Sequence, residues 1–205
     1  MTVQTNSSIF WDTQYDNGRI PWDLGRPVPV FQRLLESGHY PPGNMIVLGA
    51  GRGYDARLFA GHGFQVTAVD FAQHAVQAMQ DLDDPGTPVH ILEQDIFELP
   101  SQLNDSFDYV LEYTCFCAIN PQHRETYFDL VARLLKPGGT YIALAFPIGT
   151  RPGGPPFVVS PRDMVSALQE RGFVLQNRER PYDSVSSRQG IEELLIMVKA
   201  LDELP

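Results

Sequence analysis

Three glycines stand at alternate positions in Val47-Leu48-Gly49-Ala50-Gly51-Arg52-Gly53-Tyr54-Asp55, directly after a short apolar run and before a stretch of helical pattern. Glycine there lets the backbone approach a ligand closely. Two acids follow at positions that suit the same ligand. Asp70 closes the second apolar run, where a carboxylate accepts both hydroxyls of a ribose. Asp95 and Ile96 come just past the third run, where an acceptor reads the amino group of adenine and an apolar neighbour packs on its ring. A glycine turn is often only a turn, and an aspartate at a strand end is often only a helix cap. One nucleoside contact at each of three successive strand ends, in chain order, points instead to a nucleoside site. Counted from Gly49, the dinucleotide pattern Gly-x-Gly-x-x-Gly would put its last glycine at Tyr54, so that fingerprint fails.

Contacts of this kind need strands that end side by side. Met45 to Leu48, Gln65 to Asp70, Val89 to Glu93, Phe107 to Tyr113 and Thr140 to Phe146 read as strands. Asp55 to His62, Ala72 to Leu82 and His123 to Leu135 read as helices, and Lys136-Pro137-Gly138-Gly139 as a turn. The alternation predicts an α/β fold with a doubly wound, mainly parallel sheet. A Pro/Gly-rich loop, Pro147 to Pro161, precedes a helix from Pro161 to Arg171 that starts at Ser160 as N-cap and stops at Gly172. Phe173 to Gln176 and Leu194 to Lys199 have no clear helix between them and read as a closing antiparallel pair. The expected sheet is therefore seven-stranded, Rossmann-like, with an antiparallel last strand. With 205 residues, one domain spanning 1–205 is expected, residues 1–40 forming an N-terminal helical segment or lid.

Composition narrows the partners. Lys and Arg total 15 against 25 Asp and Glu, a net charge of -10 with no basic cluster, which disfavours nucleic acid and anionic membranes. Met1 to Ile9 is polar and no apolar run is long enough to span a bilayer, so a cytoplasmic location is expected. Cys115 and Cys117 are placed on a strand, pointing to opposite faces, as two reduced thiols packed like small apolar groups. His39, His62, His74, His90 and His123 are scattered and read as surface residues away from the C-terminal edge of the sheet, and no metal site is expected.

Together the glycine loop, Asp70 and Asp95 resemble the class I S-adenosylmethionine-dependent methyltransferases. The segment Phe10-Trp11-Asp12-Thr13-Gln14-Tyr15-Asp16-Asn17-Gly18-Arg19-Ile20-Pro21-Trp22-Asp23 is similar to the N-terminal signature of the thiopurine S-methyltransferase family. Phe116-Cys117-Ala118-Ile119 before Pro121, with Pro147-Ile148 and Gly153-Gly154-Pro155-Pro156, resembles that family's thiol and halide methyltransferases. The resemblance covers almost the whole chain. It implies S-adenosylmethionine as cofactor, S-adenosylhomocysteine as product, a small-molecule acceptor, and a monomer or weak homodimer. It puts cofactor contacts on Trp11, Tyr15, Trp22, Gly49, Gly51, Asp70, Phe71, Asp95, Ile96 and Glu112. Tyr15 stands where many relatives have a second tryptophan, Glu112 where a shorter acid is expected, and Phe146 and Phe157 where plant relatives tend to carry tyrosine.

The reactive centre of such a cofactor is a sulfonium, which aromatic faces accommodate. Trp11, Tyr15 and Trp22 precede the first strand and could fold over the sheet edge as a lid. Methyl transfer is an in-line displacement, and a halide or thiolate needs no proton removed, which suits a chain with no Ser-His-Asp or Cys-His constellation. Tyr113, at the end of the fourth strand, is the first candidate for the acceptor pocket, and Arg151 and Arg188 are candidates to attract an anionic acceptor. Thiopurines and selenium or tellurium species are alternative acceptors, a nicotinamide oxidoreductase is a rival enzyme class, and a non-catalytic binder of the same cofactor is a further alternative.

Overall fold

The structure, a computed structural model, describes residues 5–82 and 85–201. The first four residues of the expected lid and the last four of the chain lie outside the described residues. The seven strands are β1 (Asn44–Leu48), β2 (Gln65–Asp70), β3 (Val89–Glu93), β4 (Phe107–Tyr113), β5 (Leu135–Ala145), β6 (Phe173–Glu179) and β7 (Glu193–Lys199). They form one sheet in the order β3-β2-β1-β4-β5-β7-β6. Strands β1 to β5 pair in parallel, and β7 runs antiparallel to both β5 and β6. The expected doubly wound sheet with an antiparallel last strand is the architecture observed. The chain leaves β1 toward β2 on one side and returns to β4 on the other, so a crevice opens outside the C-terminal ends of these strands.

The central strands are apolar almost throughout because both faces are covered. On one face Ile46, Leu48, Val110 and Tyr141 pack with Phe128 and Val131 of α5 (Arg124–Leu134) and Met164 and Leu168 of α6 (Pro161–Gln169). On the other, Met45, Val47, Leu111 and Ile142 pack with Phe31 of α2 (Pro29–Glu36), Phe59 of α3 (Tyr54–Gly61) and Met79 of α4 (Gln73–Asp81). Helix α1 (Ser8–Asp16) contributes no buried residue to either core and lies against α4. Pro29 opens α2 at its first turn, where a missing N–H leaves no helical bond unmade. The Ser160 hydroxyl accepts the Asp163 N–H at 3.2 Å, the N-cap expected for α6.

Three local expectations are corrected. Lys136 to Gly139 do not form a free turn: β5 already begins at Leu135, which pairs with Phe107, and the irregular register before Tyr109 absorbs the Pro-Gly-Gly segment within the strand. Strand β6 continues to Glu179, held by pairing to β7 although its outer residues are exposed. Cys115 and Cys117 lie beyond the end of β4 at Tyr113, because Thr114 turns the chain at a φ of 62°. Among the described residues no helix is long and apolar enough to cross a membrane.

Candidate active site

A cavity of about 860 Å³ runs along the C-terminal ends of β3, β2, β1, β4 and β5. Its wall includes Trp11, Tyr15, Trp22, Gly49, Gly51, Asp70, Phe71, Asp95, Ile96, Arg151 and Arg188, so eleven of the thirteen candidate residues meet at one place. Glu112 and Tyr113 do not reach it.

The floor is the glycine loop. Gly49 has a φ of +62°, and a Cβ on it would come within 2.7 Å of the Cys115 sulfur, so any side chain would collide with the turn after β4. Gly51 has a φ of +56° and donates its N–H to Asp70 Oδ2 at 2.8 Å. The other oxygen of Asp70 accepts the Ala72 N–H at 3.0 Å. The carboxylate is thus fixed by backbone on both sides of the β2 end while it lines the cavity. Desolvation dominates over these bonds and pushes its pKa up to about 6. Asp95 Oδ1 accepts the Phe97 N–H at 2.9 Å, capping a short 3-10 turn that presents Ile96 to the same wall.

The roof comes from the N-terminal segment. Trp22 makes edge contacts with Trp11 at 5.3 Å and with Tyr15 at 5.7 Å between ring centroids, and its indole N–H lies 3.4 Å from the Tyr15 hydroxyl. Burial, with the Asp70 charge second, pushes the Tyr15 phenol up to about 12, so it stays neutral over the glycine loop. Helix α1 is tethered by His74 at the start of α4: Nδ1 lies 2.9 Å from Asp12 Oδ1, and Nε2 lies 2.9 Å from Asp16 Oδ1. Two carboxylates can both be satisfied only by an imidazolium, which donates from both nitrogens. The hydrogen bond to Asp12 leads in holding the His74 pKa above the ordinary value of 6.5. Its stabilisation is therefore complete below the unfolded value and fades as pH rises through the elevated folded value. A His74→Gln variant should melt roughly 2 °C below wild type at pH 6 and level with it at pH 9, in low salt. A gap independent of pH would contradict the tether.

At the β5 side stand Phe146, Pro155, Pro156, Cys117 and Arg188. Arg188, a candidate to attract an anionic acceptor, is only 4% exposed. Its guanidinium carbon lies 5.0 Å from the Tyr113 ring centroid and 4.6 Å from that of Phe146. Nη2 donates to the carbonyls of Trp22 at 3.0 Å and Pro21 at 3.3 Å, and Nη1 donates to the Tyr113 hydroxyl. Tyr113 sits behind Arg188, beside a smaller pocket of about 60 Å³, and not on the wall of the 860 Å³ cavity. Arg151 lies at the rim, exposed.

Glu112, expected among the cofactor contacts, is not part of the cavity wall. Its side chain is buried at 1% exposure, and Oε1 accepts the Phe116 N–H at 2.9 Å, which fixes the turn carrying Cys115 and Cys117. Burial pushes this carboxyl up to about 7. Both cysteines are free thiols on the cavity wall, as no sequence periodicity indicated. His123, expected at a distant surface, also lines the cavity, with its ring 6.3 Å from that of Phe97. The signal for it was Asn120-Pro121, which opens a short 3-10 turn that ends on His123 ahead of α5.

The architecture is shared with solved methyltransferases. A 1,6-didemethyltoxoflavin-N1-methyltransferase from Burkholderia thailandensis, solved with S-adenosylhomocysteine, superposes with a TM-score of 0.72 at 22% identity, covering 95% of this chain and 87% of that one. The fold is the Rossmann-like α/β sheet of these solved structures, with the cavity at its strand ends. A model of the thiopurine S-methyltransferase family matches residues 6–201. Probable thiol methyltransferase 2 of Arabidopsis thaliana is 35% identical over 195 residues, 94% of this chain and 85% of that protein. Thiocyanate methyltransferase 1 of Brassica oleracea is 31% identical over 188 residues, 90% of this chain and 82% of that protein. The chain belongs to the thiopurine S-methyltransferase family and is an S-adenosylmethionine-dependent methyltransferase.

Proposed function

We propose that this enzyme methylates a small soft nucleophile, a thiol, hydrosulfide, thiocyanate or halide, at the β5 side of the cavity. One observation carries the reading. Every carboxylate and histidine found on the cavity wall sits elsewhere: Asp70 at the end of β2, Asp95 and Glu98 after β3, and His123 ahead of α5 against Phe97. The β5 side offers instead a buried guanidinium between aromatic rings, a thiol and two prolines. Such a wall attracts polarisable or anionic groups and provides no base to strip a hydroxyl. The thiol and thiocyanate named for the two plant relatives fall in the same chemical class.

The residues present fit S-adenosylmethionine. A cavity of 860 Å³ lies within the range of roughly 300–1,000 Å³ usual for small-molecule sites. A Cβ on Gly51 would meet nothing nearer than the Tyr15 hydroxyl at 3.7 Å, so the loop is glycine for its backbone conformation and leaves open wall there. When bound, the cofactor supplies a methyl group on a positively charged sulfur. Asp70 would hold the ribose, Asp95 and Ile96 the adenine, and Trp11, Tyr15 and Trp22 would give the sulfonium aromatic faces. The N-terminal segment would exclude water as a lid, and Arg188 would orient the acceptor.

A Tyr113→Phe enzyme should keep S-adenosylhomocysteine affinity within about twofold while acceptor kcat/KM falls roughly tenfold, since Arg188 loses one hydrogen-bond partner. Calorimetry beside steady-state kinetics checks the split, and an equal loss in both would contradict it. The reading as a whole is tested by kcat/KM across iodide, thiocyanate, hydrosulfide, an aromatic thiol, a thiopurine and a catechol. Turnover is expected from the soft acceptors, and turnover of catechol alone would overturn it.

A further inference from the structure

Behind Arg188 lies an acid that the reaction itself does not require. Glu192 is 1% exposed and stands one residue before β7. Its Oε1 accepts the Tyr113 hydroxyl at 2.5 Å, and that same hydroxyl oxygen accepts from Arg188 Nη1. Guanidinium, phenol and carboxylate are therefore joined in one buried chain. The next residue, Glu193, turns the other way and pairs with Arg178 and Arg180 on β6 and beyond it.

Other acids near this chain are engaged elsewhere. Asp55 accepts the Val28 N–H at 2.8 Å, and Asp183 is held by Arg33 at 2.8 Å. Arg188 in turn has given one amino group to the carbonyls of Pro21 and Trp22. The charge an acceptor meets at the β5 side is thus that of Arg188 with Glu192 directly behind it.

We propose that Glu192 is a specificity-determining residue: its carboxylate, linked to Arg188 through the Tyr113 hydroxyl, offsets the guanidinium charge and so sets how strongly the site favours an anionic acceptor over a neutral one. The chain holds the guanidinium plane in place, and a fixed opposite charge behind it weakens the attraction for iodide or thiocyanate. The site is thereby kept open to uncharged sulfur acceptors that a bare buried arginine would serve less well against competing anions. This inference rests on Arg188 facing the acceptor, as in the proposed function.

Glu192→Gln removes the charge and retains an oxygen for the Tyr113 hydroxyl. At pH 8 and low salt its KM for thiocyanate is expected to fall roughly fivefold, with less than a twofold change in S-adenosylhomocysteine affinity. A second readout needs no turnover. Trp11 and Trp22 are the two tryptophans of the chain, and both line the cavity. In the S-adenosylhomocysteine complex, the ratio of quenching by iodide to quenching by neutral acrylamide should rise severalfold in Glu192→Gln. Glu192→Asp keeps the charge but draws it away from Tyr113, so it should lower kcat while leaving the quenching ratio at the wild-type value. Should the glutamine variant not fold, Glu192→Leu makes the same deletion of charge with an apolar side chain of similar size. An unchanged quenching ratio in a folded, charge-deleted variant would overturn the proposal. Silence of the wild-type enzyme toward every soft acceptor would instead overturn the functional reading, while the quenching ratio would still report on Glu192.

Discussion

Asp70→Ala is expected to weaken S-adenosylhomocysteine binding by at least about 100-fold, because it removes the proposed ribose acceptor and the partner of the Gly51 and Ala72 N–H groups together. The loss should not reflect unfolding. Asp70 pays in its folded state for lying in a desolvated wall, with its pKa raised from 3.8 to about 6. A carboxyl that holds its proton more tightly when folded destabilises progressively as pH rises from about 4 to about 6, and at pH 8 the full penalty is present. Asp70→Asn, which keeps one acceptor oxygen but sets its amide nitrogen against the other backbone N–H, should bind about tenfold more weakly than wild type, and its melting temperature should gain on wild type as pH rises from about 4 to 8. Calorimetry and thermal melts on the same samples separate the two effects. Affinity within threefold of wild type in Asp70→Ala would contradict the assigned role.

Arg188→Ala is expected to have the largest effect on the acceptor side, lowering kcat/KM for thiocyanate by about 10²- to 10³-fold. The guanidinium joins three parts of the molecule: the carbonyls of Pro21 and Trp22 in the N-terminal segment, Tyr113 at the end of β4 and the Phe146 ring after β5. Removing it also leaves Glu192 buried without its cation, so the fold should lose roughly 3–5 kcal/mol. Arg188→Lys tests geometry apart from charge. One ammonium cannot bond Tyr113 and both carbonyls as a planar fork does, so a loss of about tenfold or more should persist with the charge restored. Full activity in Arg188→Lys would mean that charge alone suffices there.

The parts of the site that were legible in the sequence are those whose meaning is local. Gly49 and Gly51 stand within three residues of the end of β1, Asp70 closes β2 and Asp95 follows β3 by two residues. Each is placed by its own strand, so residue type and position along an alternating chain suffice. The aromatic residues Trp11, Tyr15 and Trp22 are likewise close in sequence, and their mutual contacts span at most 11 residues. The Arg188 cluster was hidden for the opposite reason. Its bonds join residues 75, 79 and 166 positions apart, and a loop arginine in an acidic chain looks solvated until β7 brings it back against β4 and the N-terminal segment.

The mistaken placements share a cause. Periodicity carried the strand of Phe107 to Tyr113 on into Cys115 and Cys117, but Thr114 adopts a positive φ and Glu112 turns inward to hold the amides after it. The Lys136-Pro137-Gly138-Gly139 segment looked like a turn by composition, yet pairing of Leu135 with Phe107 draws it into β5. In each instance a tertiary contact outweighed local propensity.

The most direct test of the account uses thiocyanate, an ambident nucleophile with a soft sulfur and a harder nitrogen. Purified enzyme is given S-adenosylmethionine and thiocyanate in a sealed vial, and S-adenosylhomocysteine in solution is measured against methylated product in the headspace. The account predicts methyl thiocyanate, methylated at sulfur, in equimolar amount with S-adenosylhomocysteine. Release of methyl isothiocyanate, or no release with thiocyanate, iodide or hydrosulfide while a catechol is turned over, would contradict it.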